Sequence, residues 1–172
     1  MKLTTRRVAF AGVLAAVYAA ITVATASLSY GPVQFRLAEA LTVLCCFTPA
    51  AVPGMVVGCM AANLASYVSA WDFLIGSCAT LLACVITWFL SRRLEQKPRL
   101  IWLIPLPTVL CNAVIVGAEI AVFFDKRAFL PAWGLNALSV GAGEAAVLYL
   151  LGVPLLFFLL KRERTARQLR SI

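Results

Sequence analysis

The chain has 172 residues, 63% of them hydrophobic and 13% charged, with a formal net charge of +8 and no histidine. Mean hydropathy is +0.95, which excludes a soluble domain and identifies an integral membrane protein. The positive charge does not signal nucleic-acid binding. Apart from Arg36, Lys126 and Arg127, every basic residue precedes the first apolar run, lies between Arg92 and Arg99, or follows Leu160.

In chain order, the spacing of apolar runs and breakers predicts six spans, at about 5–28, 36–48, 54–69, 71–92, 101–124 and 133–160. The first run follows Lys2, Arg6 and Arg7 but is too long for a cleaved signal core, so it reads as a retained helix. Tyr30-Gly31-Pro32 ends it, because proline cannot continue the hydrogen-bond ladder. Pro49 and Pro53 bracket a turn before the third helix, and Pro105 and Pro107 fall in the first turns of the fifth. Gly152 and Pro154 are expected to kink the sixth. The expected fold is therefore an all-α membrane protein, a six-transmembrane-helix bundle forming one domain over 1–172. An even span count puts both termini on one side, and the basic clusters mark that side as cytoplasmic.

Three acids, Glu39, Glu119 and Glu144, lie inside or close to these spans. Each costs about 2.5–3.5 kcal/mol at a helix centre on insertion scales. They must therefore face a partner, a cavity or one another. Arg36 stands three residues before Glu39, an i, i+3 spacing at which the two can neutralise each other. Asn112 and Glu119 share a helix face, as do Asn136, Val140 and Glu144. Asn63, Ser66 and Tyr67 form an i, i+3, i+4 patch, and Gln34 brings a further donor to the start of the second helix. These groups outline a polar pocket with excess carboxylate. Asp72 reads as a helix cap, and Asp125, Lys126 and Arg127 read as a solvated loop.

The six cysteines sit in apolar runs without a CxxC pair and read as packing residues, so no metal site is expected. There is no GxxxxGK[ST] loop to hold ATP, no aspartate-dense motif for headgroup transfer, and no nucleophile–base constellation, so an enzyme is not expected. In the first helix Ala11, Ala15 and Ala19 repeat at intervals of four, as do Gly12, Ala16, Ala20 and Ala24. Small residues so spaced admit another helix, from this chain or a partner.

The segments YGPVQFRLAEALT, FTPAAVPGMVVGCMAANLAS, IGSCATLLA, PLPTVLCNAVIVGAEI and GAGEAAVLYLLGVPLL occur in order and together resemble the QueT family. One departure is Cys45-Cys46, where the family pattern favours proline. The resemblance implies a substrate-binding S component of an energy-coupling factor importer in the bacterial cytoplasmic membrane. Its cargo would be a queuosine precursor or a related 7-deazaguanine. It implies partners too: one coupling transmembrane subunit, met through Ala11, Ala15 and Ala19, and two ATPase subunits that hydrolyse ATP, with no cofactor in this chain.

A guanine-like edge offers two adjacent N–H donors to one carboxylate, and an aminomethyl group would engage a second. Under that reading Glu39, Glu119 and Glu144 hold the ligand, Gln34, Arg36, Asn63 or Asn112 reads its carbonyl, and Tyr67 stacks on its ring. Two alternatives stand beside it: an S component for another vitamin-like molecule, and an autonomous proton-coupled carrier. A bulky residue at Ala15 is expected to spare ligand capture and block assembly with the coupling subunit.

Overall fold

The computed structural model describes residues 4–29, 33–64, 70–94, 98–125 and 127–172. Every regular element among them is helical. The α-helices are α1 (Thr5–Ala24), α2 (Ala26–Ser29), α3 (Ala51–Leu64), α4 (Ala70–Leu94), α5 (Leu106–Phe123), α6 (Phe129–Val147), α7 (Val153–Lys161) and α8 (Glu163–Arg170). Two 3₁₀ segments, Leu37–Cys46 and Pro98–Leu103, and one π-helical turn, Leu148–Gly152, complete the chain.

Helix boundaries move from their expected places where proline and hydroxyl chemistry dictate. Thr25 ends α1 early, its hydroxyl donating to the Ile21 carbonyl at 2.7 Å. After Cys46 the Thr48 hydroxyl accepts from the Ala50 amide at 3.2 Å, and this turn starts α3 at Ala51 rather than Gly54. Pro53 is tolerated inside α3 because first-turn amides need no intrahelical acceptor. For the same reason α5 begins only at Leu106, after Pro105, and residues 98–103 wind as a 3₁₀ turn instead of extending it. The sixth segment starts at Phe129 rather than Trp133. Beyond α7 the chain reforms as α8.

Four stretches are long and apolar enough to cross a membrane: Thr5–Ala24, Trp71–Leu94, Arg99–Phe123 and Phe129–Lys161. Leu37–Cys46 and Ala51–Leu64 are shorter apolar helices. Large apolar side chains such as Val13, Leu82, Phe89, Leu138 and Leu150 are exposed on the outside of the bundle, as expected where lipid is the solvent. The molecule is thus a multi-pass helical membrane protein. The start of α1 and the end of α8 meet at one end. Arg6 lies 3.4 Å from the Ser171 hydroxyl, and Arg7 donates to the Ile172 carbonyl.

Helices α1, α3, α4, α5 and α6 pack successively side by side, and the Leu37–Cys46 segment threads between them, touching α1, α3, α4, α6 and α7. Its three-residue repeat stacks Glu39, Thr42 and Cys45 on one ridge, and all three are buried. On the sixth segment, Val140, Glu144, Leu148, Gly152 and Leu156 are all buried. A stripe with steps of four drifts by about 40° per step on an ideal α-helix. The wider π turn at 148–152 corrects that drift.

Close helix approach rests on missing side chains. A Cβ on Gly58 would lie 2.7 Å from the Tyr18 Cβ and 2.9 Å from the Ala15 carbonyl oxygen, and one on Gly117 would lie 2.7 Å from the Ala137 Cα. At Gly12, by contrast, a Cβ would meet nothing within 4 Å. Replacing Gly58 with leucine is expected to force α1 off α3 and cost about 1–3 kcal/mol or more, read as a lowered unfolding temperature in detergent. Gly12→Ala should leave that temperature unchanged.

Candidate functional site

The central 3₁₀ segment positions the site by carrying Glu39 into the middle of the bundle, fully buried. The Tyr18 hydroxyl of α1, itself fully buried, donates to Glu39 Oε1 at 2.6 Å. Thr42 donates to the Glu39 carbonyl at 2.7 Å and receives a 3.4 Å contact from the Thr108 hydroxyl of α5. Glu39 Oε2 has no hydrogen-bond partner among the described residues.

Arg36 reaches across to α3 and α4. Its Nη2 donates to Asp72 Oδ2 at 2.9 Å and lies 3.4 Å from Asn63 Oδ1, and the two ion-pair side chains are 2% and 9% exposed. Arg36 thus makes a long-range ion pair with Asp72. The reason is geometric: Asp72 stands in the first turn of α4, beside the end of α3, where it reaches the guanidinium. Asp72 is thus an ion-pair partner rather than the helix cap expected. Its carbonyl also accepts from Asn63 Nδ2 at 2.8 Å, which ties α3 to α4. Cys59 Sγ lies 3.4 Å from the Thr80 hydroxyl and 3.6 Å from Asn63 Nδ2.

Glu144 of α6 is fully buried. Asn112 Nδ2 of α5 donates to its Oε1 at 3.0 Å, while Oε2 has no partner among the described residues. Asn112 therefore serves Glu144 across the α5–α6 seam rather than Glu119 along its own helix. Glu119 is 4% exposed, and neither of its carboxylate oxygens has a hydrogen-bond partner among the described residues. Gln34 is partly buried, and its carbonyl packs so closely against Gly143 that a Cβ there would clash with it. Tyr67 and Ser66 lie outside the described residues.

The structure thus gathers Arg36, Glu39, Asn63, Asn112, Glu119 and Glu144 in one interior, with Gln34 beside α6. Tyr18 and Asp72 are the members the site reading missed. Tyr18 had one available signal, a lone phenol on a helix otherwise alanine- and valine-rich. Asn136 departs from the expected face. It donates to Asp125 Oδ2 at 3.1 Å in the loop after α5. There Arg127 chelates the same carboxylate and holds it well below the ordinary carboxylate range, mainly through its side-chain hydrogen bonds.

Of the residues at which a partner contact is expected, Ala15 is buried and Ala11 and Ala19 are partly buried. Ala15 is buried against Gly58, Ala11 lies against Gly54, and Ala19 packs beside the Tyr18–Met55–Cys59 core. Gly12, Ala16, Ala20 and Ala24 form the outward small-residue stripe.

The profile of the QueT transporter family matches residues 8–161. This chain belongs to the QueT transporter family. QueT members are transporters, not enzymes, and the match covers every element from α1 to α7. No curated protein and no solved structure matches the chain.

Removing one member of the buried ion pair strands the other in an apolar interior. Asp72→Ala is expected to destabilise the protein by about 3–5 kcal/mol, whereas the double replacement Arg36→Met with Asp72→Leu should recover most of that loss. Unfolding temperatures of the two variants in the same detergent measure the difference.

Proposed function

We propose that this chain is the substrate-capturing S component of an energy-coupling factor importer, and that its cargo is a queuosine precursor or a closely related 7-deazaguanine. One observation carries the reading: Glu39, Glu119 and Glu144 are buried, and each keeps at least one carboxylate oxygen without a hydrogen-bond partner among the described residues. Burying such acceptors is costly unless donors meet them, and a flat, nitrogen-rich guest supplies those donors. One carboxylate accepts the paired N–H groups of a guanine-like edge, and another offsets an aminomethyl cation. Asn63 and Asn112 hold the acids and Arg36 in place around that guest.

In this reading the membrane carries six helical segments, the two short apolar helices included, with the joined termini on the cytoplasmic side of a bacterial membrane. Energy comes from partners: a coupling transmembrane subunit and two ATPases. The coupling subunit would meet the outward stripe of Gly12, Ala16 and Ala20, since Ala15 is already occupied by α3.

Native mass spectrometry of the purified protein is expected to show a bound 7-deazaguanine. Glu39→Gln, Glu119→Gln and Glu144→Gln should each weaken its binding roughly tenfold to a hundredfold, corresponding to about 1.5–3 kcal/mol per charged hydrogen bond. Unchanged affinity in all three removes the site.

Ala16→Leu should reduce co-purification with the coupling subunit while leaving ligand affinity intact. Uptake into vesicles holding this chain alone, driven by a pH gradient, would instead establish an autonomous carrier.

A further inference from the structure

A carboxylate that grips two adjacent N–H groups at once needs both of its oxygens for them. The buried acids differ in how many oxygens the protein already engages. Glu39 Oε1 accepts from the Tyr18 hydroxyl at 2.6 Å, and Glu144 Oε1 accepts from Asn112 Nδ2 at 3.0 Å. Asp72 Oδ2 is held by Arg36 at 2.9 Å. Each of these three acids keeps a single oxygen without a hydrogen-bond partner among the described residues. Glu119 is equally buried, yet both of its oxygens are without such a partner.

Helix α5 turns Glu119 toward the interior. Val116, three residues before it, is buried and clusters with Ala79 of α4 and Val140 of α6. Phe123, four residues after it, stacks on Trp71 of α4 with ring centroids 5.3 Å apart. Residues at i−3 and i+4 share a helix face with residue i, so Glu119 belongs to the face of α5 that packs on α4. Asn112 lies seven residues back on that face, about 10 Å along the axis, where it holds Glu144. Glu119 and Glu144 therefore stand at two levels, with Val116, Ala79 and Val140 clustered between them.

We propose that Glu119 is the specificity-determining acid of the site: its two oxygens take the adjacent ring N–H and exocyclic amino group of the guest together, while Glu39 and Glu144 each take a single donor. This assignment rests on the 7-deazaguanine reading and adds to it the residue that distinguishes a 2-amino base from one lacking the amino group. A base without that group leaves one Glu119 oxygen buried and unmet. A site built to hydrogen-bond a group rejects the analogue lacking it far more strongly than an apolar pocket rejects a small change of shape.

The probes are 7-deazaguanine and 7-deazahypoxanthine, which differ only in the exocyclic amino group, titrated calorimetrically into the purified full chain in detergent. The native protein is expected to bind 7-deazaguanine at least about tenfold more tightly. Glu119→Gln should remove most of that preference, because the glutamine amide replaces one acceptor with a donor. Glu39→Gln and Glu144→Gln should weaken binding of both bases and keep the preference. The readout is a ratio within one protein, so a smaller folded fraction in a variant does not alter it. If Glu119→Gln yields no folded protein, the other two variants decide, because the preference must survive in both.

Equal affinity of the native protein for the two bases overturns the proposal and leaves the cargo class standing. A preference that survives Glu119→Gln, or that vanishes in Glu39→Gln or Glu144→Gln, does the same. Binding of neither base overturns the proposal together with the reading on which it rests.

Discussion

A charged or acid side chain inside an apolar bundle is tolerated only where another polar group reaches it, and the arrangement of this molecule follows from that requirement. Arg36 is answered by Asp72 and Asn63 from two other helices, Glu39 by Tyr18 from α1, and Glu144 by Asn112 from α5. Each contact joins elements distant in sequence, so the polar interior also fixes the order in which the helices stand. The acids nevertheless remain under-satisfied, Glu119 wholly and Glu39 and Glu144 by one oxygen each among the described residues. A protein selected for stability alone would have replaced them with apolar residues of similar volume.

The apolar exterior and the polar interior depend on the same economy of side chains. Small residues at Ala15, Gly58 and Gly117 bring backbones close enough for short polar side chains to meet. The close α1–α3 approach places Tyr18 over Glu39, and the α5–α6 approach places Asn112 over Glu144. Elsewhere α4, α7 and α8 stand around a space lined by Phe47, Leu156 and Arg92.

Much of this was legible in the sequence because membrane insertion penalises polar residues so strongly. The cost of a carboxylate among lipids picks out Glu39, Glu119 and Glu144 without coordinates, and apolar runs with proline breakers mark where the main helices lie. The pairing of those groups was not legible. Arg36 and Glu39 are sequence neighbours, yet a 3₁₀ winding and the position of α4 send them to different partners. Ala11, Ala15 and Gly12, Ala16 are indistinguishable as four-residue repeats, and only the packing of α3 decides which faces inward. The π turn escaped for a related reason, since it is set by what it packs against rather than by local composition.

The winding of Leu37–Cys46 has a mechanical consequence. Ten residues at three per turn reach about 20 Å, whereas the same residues in ordinary α geometry reach about 15 Å. The central rod is therefore held stretched by about one helical pitch, and its grip on the surrounding helices keeps it so. Glu39 rides on that rod two residues from its beginning. Relaxing the rod into the wider α coil would shorten it by about 0.5 Å per residue, so Glu39 would shift against Tyr18 by about 1 Å with the Leu37 end held and by about 3.5 Å with the Cys46 end held.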